Sequence, residues 1–385
     1  MPGKRHWRPH SCHRRLVILS ATFACLCAPS ALAYQEREDA EGAQVFSISY
    51  TGNFLSNVSG GQSRGSSYTH ELDVGASFQI ADKWTFAVTG AWTQGAALSD
   101  QHVGDFGGLQ GTFNDANALW LYEAYAAYSG EKLAFAAGRL SAGDTFASLD
   151  IMGNFVNATF SSNAGAISTN AGGFTTGPTS TWGAYLAYAT SETSTFTVGA
   201  YLSAQNNFST DDHGLDFSFN PGDGVLIAAE YRQAFSEAAF GFGAYYDTAD
   251  AEVLTETQAT RDARADYGFY SYIEGPLTPT GPTAMIMLQL APEKGLNLFP
   301  LFILGALSWN GIVPARPRDR MSLGIAYGKI SNRLESLRDE VVFELNCTAV
   351  VNDIITVQPV AQYVSNPGGT EANALIFGVQ LSVEF

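Results

Sequence analysis

Charge is scarce in this 385-residue chain: Asp, Glu, Lys and Arg make up 15% of it, against about a quarter of a typical soluble domain. Long apolar runs are missing too. Beyond the first forty residues the longest candidate, 296–309, is interrupted by Pro300 and Gly305, well short of the roughly 18 residues a membrane-spanning helix needs. A helical membrane protein is therefore excluded. Basic residues number only 20 against 37 acids, which repels nucleic acid as a partner. Cysteine is nearly absent, since three of the four (Cys12, Cys25, Cys27) precede residue 34 and leave Cys347 alone. Neither a disulfide framework nor a cysteine metal site is available. What remains is rich in Gly, Tyr and Phe, the composition of a β protein that meets an apolar medium.

The N-terminus reads as an export address. Lys4, Arg5, Arg8, Arg14 and Arg15 precede an apolar run, Leu16 to Ala28, and Ala31-Leu32-Ala33 supplies the small residues a signal peptidase reads. Cleavage after Ala33 is expected, an uncleaved anchor being the alternative. It would leave 352 residues with 15 basic and 37 acidic side chains, a net charge of −22. Residues 34–43, with four acids, read as a periplasmic tail.

Alternation with period two dominates the remainder. Leu375, Phe377, Val379, Leu381, Val383 and Phe385 share one face, opposed by Gly378, Gln380, Ser382 and Glu384. Val341, Phe343, Leu345 and Cys347 likewise oppose Glu340, Glu344 and Asn346. Sixteen strands are predicted, near 44–52, 70–80, 84–94, 118–129, 132–140, 181–190, 195–203, 224–233, 239–248, 266–274, 284–291, 298–308, 321–330, 340–351, 354–364 and 373–385. The segments at 284–291 and 298–308 are apolar on both faces, so period alone does not type them.

Connections alternate between long (53–69, 95–117, 141–180, 204–223) and short (81–83, 130–131, 191–194, 234–238). A membrane barrel needs that segregation, with loops outward and turns in the periplasm. It weakens after residue 275, where the turn 309–320 is longer than the loop 292–297. Trp84 and Trp92 share a face about 26 Å apart along a strand, close to the height of a barrel's apolar band once tilted. The reading is all-β: a single closed antiparallel transmembrane β-barrel of sixteen strands, residues 44–385, with long extracellular loops and mostly short periplasmic turns.

Chemical motifs are few. Gly61-Gln62-Ser63-Arg64-Gly65 matches the Gly-x-Ser-x-Gly of serine hydrolases, but that chemistry needs a strand, a sharp turn and a helix, with a His base in reach. After the leader only His70, His102 and His213 remain, none at catalytic or metal-binding spacing, so no enzyme, metal or cofactor is expected. The run Asp247, Asp250, Glu252, Glu256, Asp262 and Asp266 reads as a solvated loop or as a divalent-cation site toward lipopolysaccharide. Ser141 to Ser180 is a 40-residue loop whose only charges are Asp144 and Asp150. Loops that long are functional or disordered. Folded inward, its hydroxyls, amides and four phenylalanines would form a constriction suited to a neutral polyhydroxy solute; the other reading is an outward mobile loop.

Several segments resemble the carbohydrate-selective porins of Gram-negative outer membranes, the OprB-type family. They are Asn57-Val58-Ser59-Gly60-Gly61 with Arg64-Gly65; Gly138-Arg139-Leu140 with Asp144, Phe146, Ala147 and Phe155-Val156-Asn157; and Gly311, Pro314, Arg316, Asp319, Gly324, Gly328 and Ser331. Gln358-Pro359, Gln362-Tyr363 and Asn366-Pro367-Gly368-Gly369 complete the set. The resemblance spans about residues 49–385. It implies a sixteen-stranded barrel admitting glucose and similar sugars by facilitated diffusion, with outer-membrane lipid and lipopolysaccharide as surroundings. Phe385 resembles the terminal signal read by the barrel assembly machinery. The acidic balance and the presence of Arg318 and Arg320 beside Arg316 are departures.

Period two nominates the pore lining. Trp120, Tyr122 and Tyr128 make one face of their strand aromatic, so Glu123 should point inward. Glu230, Arg232, Gln358 and Gln362 follow by the same logic. Asp144 is nominated from the loop and Arg316 from the family pattern. Arg139 is nominated as well, although it shares the face of Leu133 and Phe135 and would need a bulge or a rim position to reach the lumen. A general or cation-preferring porin is the alternative function; a barrel enzyme and an adhesin rank behind it.

Overall fold

The computed structural model describes residues 44–385 apart from 113–116, 162–164, 205–208, 256–259 and 263. The leader and tail expectations, 1–33 and 34–43, lie outside the described residues. Sixteen antiparallel strands form a closed barrel. They are β1 (Gln44–Gly61), β2 (Gly65–Ala81), β3 (Trp84–Gly95), β4 (Ala118–Ser129), β5 (Leu133–Leu140), β6 (Thr181–Ala189), β7 (Ser194–Ser203) and β8 (Gly224–Phe235). The second half comprises β9 (Ala238–Asp247), β10 (Asp266–Pro276), β11 (Thr283–Leu290), β12 (Leu301–Asn310), β13 (Arg320–Lys329), β14 (Glu340–Val350), β15 (Ile355–Ser365) and β16 (Ala372–Glu384). Each strand bonds its sequence neighbours, and β1 closes the ring by pairing β16, with Tyr50 opposite Val383. Closure removes both sheet edges, which a sheet surrounded by lipid requires.

The alternation read in the sequence is the alternation of the wall. On β14, Glu340, Glu344 and Asn346 are buried inside while Phe343 and Leu345 are exposed outside. Ile286, Ile303, Leu323 and Ile325 are exposed on the outer face as well, and Met285, Met287 and Leu304 are buried inside. The two segments that period could not type are apolar on both faces because the inner face of β11 and β12 packs against residues 150–154 of the loop that follows β5, where Ile151 and Met152 are buried. Trp84 and Trp92 are outward and 37% and 41% exposed, Trp84 against Tyr128 and Trp92 against His70.

Three expectations need correction. Residues 53–69 are not a long loop, since β1 and β2 stay paired as far as Asn57 opposite Gly65. Polar Asn53 and Asn57, which broke the apolar pattern, are buried on the inner face of β1. The turn between β12 and β13, 311–319, is only about as long as the loop 291–300. It is closed by the Gly311 N–H donating to Asp319 O and by the ion pair of Arg316 with Asp319. Trp120 and Tyr122 do not face lipid. A register shift between Thr89 and Gly90 lets Trp120 donate to Thr93 inside while Glu123 accepts from Thr89 on the same side. A bulge changes phase, so both groups turn inward.

Candidate functional site: the lumen and its crossing loop

The loop 141–180 leaves β5 and crosses the interior. It carries a 3-10 turn, Asp150–Asn154, and two four-residue helices, Ala158–Ser161 and Ile167–Asn170. Its path is held mostly through main-chain N–H groups, which must find acceptors once buried. Ala147 N–H donates to Glu230 Oε2 at 2.8 Å, Val156 and Asn157 N–H to the two oxygens of Glu344 at 2.9 and 2.7 Å, Ala166 N–H to Gln289 at 2.9 Å, and Gly173 N–H to Asp247 at 3.2 Å. Glu230 also accepts from the hydroxyls of Tyr270 and Tyr272, and Glu344 from the amides of Asn346 and Gln362. Bonds to an ionised acceptor are the strong class.

The loop's aromatic rings do not line open space. Phe146, Phe155, Phe160 and Phe174 are buried against the inner wall, Phe146 edge-on to Tyr201 and Phe174 edge-on to Tyr245. Gly324 makes room for this: a Cβ there would lie 2.7 Å from Phe160 and 2.9 Å from Phe155. Asp144, Asp150 and Thr169 keep some exposure. Asp144 accepts from Tyr122 Oη at 2.6 Å, and burial pushes its carboxyl up to about 6, against the downward pull of bonds from Tyr122 and Ser141.

The nominated residues fall into three groups. Glu123, Asp144 and Arg232 stand on or beside the open lumen, Arg232 donating to Ser148 O at 3.4 Å. Glu230, Gln358 and Gln362 are buried and hold the loop, with Gln358 donating to Asn154 O and Gln362 Oε1 accepting from Asn157 Nδ2, while Gln362 Nε2 donates to Leu109 O of the loop 96–117. Arg139 and Arg316 lie elsewhere. Arg316 is exposed in the turn 311–319, at the opposite end of the barrel from the long loops, paired with Asp319. Arg139 is 3% exposed, on the outward face of β5 opposite Ala124, and donates to the carbonyls of Leu121 and Ser180.

Sequence reasoning missed Glu344, Gln289, Asp247 and Arg320 as parts of the interior. Arg320 shares the phase of Ser322 and Gly324 on β13, and its guanidinium reaches the Asn154 side chain. That shared phase was the available signal. The Ser63 motif sits in the three-residue tip between β1 and β2, flanked by strands on both sides. Contrary to the spacing argument, the fold does bring a histidine to it: Ser63 Oγ lies 2.7 Å from His102 Nδ1, and Ser63 N–H donates to His102 O. The contact ties that tip to the loop 96–117, without the strand-turn-helix that a nucleophile elbow requires. No group of three or more candidate metal ligands occurs among the described residues. Of the acidic run, Asp247 is taken by Ser203 and Gly173 and Asp266 by Asn297, while Glu256 lies outside the described residues.

Comparison with known proteins meets this geometry from another direction. The chain is 23% identical to Porin B of Pseudomonas aeruginosa, over 88% of this chain and 87% of that one. In fold it is similar to the high-pH structure of Pseudomonas putida OprB, with a TM-score of 0.81 at 20% identity over 89% and 94% of the two chains. The low-pH structure of the same protein gives 0.56 at 16%, covering 89% and 92%. Vibrio cholerae OmpT with one loop deleted gives 0.53 at 11%, covering 90% and 100%. The model of the carbohydrate-selective porin family matches residues 63–385. A sixteen-stranded barrel with an apolar belt, a polar lumen and a crossing loop, matched along most of its length, is an outer-membrane channel of Gram-negative bacteria, and the chain belongs to the carbohydrate-selective porin, OprB family.

Proposed function

We propose that the chain passes small neutral sugars such as glucose by passive or facilitated diffusion and that the loop 141–180 is its constriction. The observation carrying this reading is the anchoring of that loop's N–H groups on wall carboxylates, which keeps polar loop edges in the lumen. Sugar hydroxyls would meet Glu123, Asp144, Asp150, Arg232 and Arg320, each able to exchange a water-like bond for another. Weak, multiple contacts suit conduction, because a tight site would trap the solute. Glu230, Glu344, Gln358 and Gln362 serve the loop instead of the solute. Outer-leaflet lipopolysaccharide surrounds the belt, and the strand ending at Phe385 is offered to the assembly machinery.

Liposome swelling tests the selectivity. Glucose or xylose should enter faster than a non-sugar solute of equal size, and equal rates would leave a general porin. Shortening 141–180 should raise single-channel conductance; unchanged conductance would remove the constriction role. A cation preference is favoured by the acids Glu71, Asp73 and Glu123 on the inner side of β2 and β4, and the sign of the reversal potential in a salt gradient reads it directly.

A further inference from the structure

Where β5 turns into the lumen, the barrel wall loses a strand. β4 pairs with β3 up to Ala118, but with β5 only from Ala124 onward, because β5 ends at Leu140. Residues 118–123 of β4 therefore present an edge on that side. An edge at membrane depth leaves main-chain polar groups facing hydrocarbon, at several kcal/mol for each unsatisfied group. Register sets the depth: Leu119 lies opposite Trp92, the outward tryptophan toward the loop end, so the breach is at the outer-leaflet boundary.

Groups from outside the strand fill it. Leu121 N–H donates to His213 O at 2.8 Å, Leu119 O lies 2.9 Å from His213 Nδ1, and Leu121 O accepts from Arg139 Nε at 2.7 Å. Arg139 spans the gap, its Nη2 donating to Ser180 O at 2.8 Å just before β6. Gly214 packs on the guanidinium, where a Cβ would come within 2.9 Å of Nη2. The segment then continues over β6: Trp182 Nε1 donates to Asp216 O, and Phe217 stacks on Trp182 with ring centroids 4.4 Å apart. On its outer side Leu215, Phe217 and Phe219 are all exposed, Phe217 to 71%. They continue the exposed apolar belt of Leu119 and Trp92.

We propose that residues 213–219 form a lipid-facing plug that closes the breach between β4 and β6, pinned by Arg139, with Leu215, Phe217 and Phe219 in contact with acyl chains of the outer leaflet. Arg139 is then a positioning residue of the wall and not a solute ligand. The inference holds for any solute the channel passes, so it survives or fails independently of sugar selectivity.

The test uses the full-length mature protein in liposomes. In a Cys347→Ala background, Phe217→Cys is labelled with bimane and compared with Val379→Cys, a lipid-facing strand position. Quenching of the Phe217→Cys label by acyl-brominated phosphatidylcholine, with little quenching by aqueous iodide, is the expected result. Full iodide quenching without a bromolipid effect would place the segment in water and overturn the proposal. Disulfide crosslinking of Phe217→Cys between copies, with loss of bromolipid quenching, would make a second copy the occupant and overturn it equally. Adding Arg139→Met should raise iodide access at position 217 several-fold while position 379 keeps its lipid quenching. Unchanged quenching at 217 would remove Arg139 as the pin.

Discussion

Glu344 is the place where one substitution should open the channel. Its carboxylate accepts the N–H groups of Val156 and Asn157 at 2.9 and 2.7 Å, at the far reach of the crossing loop. A hydrogen bond to a charged group is worth about 1.5–3 kcal/mol. Glu344→Ala orphans both donors, so the docked tip loses at least about 3 kcal/mol against any conformation in which water satisfies them. At 1.4 kcal/mol per factor of ten, the docked-to-released ratio falls roughly a hundredfold. The anchors at Ala147, Asn154, Ala166 and Gly173 remain, so the release is confined to the stretch around 155–161. In planar bilayers Glu344→Ala should give higher single-channel conductance with more current noise, and Glu344→Gln, which keeps one acceptor, a smaller increase. Native conductance and noise in both variants would refute the anchoring argument.

Other predictions concern protons, backbone and charge. Asp144 has its carboxyl raised from 3.8 to about 6 by burial, so the folded barrel holds that proton more tightly than the unfolded chain does. Its stabilising contribution is present below about pH 4 and lost as pH rises through 6. Denaturant midpoints should fall less between those limits in Asp144→Asn than in the native chain, and equal slopes would count against it. Gly138 has φ +146, and a Cβ there would lie 2.2 Å from Ala124 O, so Gly138→Val should cost upwards of about 1–3 kcal/mol and show as loss of the heat-modifiable folded band. Gly90→Ala, whose nearest neighbour is 3.7 Å away, should fold normally. Arg316→Ala should leave conductance and ion selectivity unchanged, whereas Arg320→Ala, which removes a lumenal cation bonded to Asn154, should shift the reversal potential toward cations.

The wall was legible because lipid and water impose opposite demands on alternate residues. Each of the sixteen predicted segments corresponds to one strand, including β11 and β12, whose double apolarity had left their type open. Failures came where another rule interrupts period two. One bulge reversed Trp120 and Tyr122, and extension of β1 and β2 beyond the apolar belt disguised paired strand as loop. Arg139 has an outward phase that is visible in the sequence, whereas the segment 213–217 packed on it arrives from seventy residues further on. Phase alone puts Glu123 and Arg232 on the inner side of the wall, which is where their bonds to Thr89 and Ser148 lie. Glu344 was on the polar face already, yet nothing in the sequence pairs it with Val156 across 188 positions.

The anchoring of the crossing loop bears on how such a channel can change. Wall side chains grip amide groups that every residue except proline possesses, so at those gripped positions the route is specified by the partner more than by the loop's own letters. Positions such as Asp150 and Thr169, outside that grip and partly exposed, are free to vary without redirecting the chain. A lineage, or an engineer, could therefore rewrite the loop's exposed residues one at a time on an unchanged frame, while a single altered carboxylate in the wall would rewrite the frame itself.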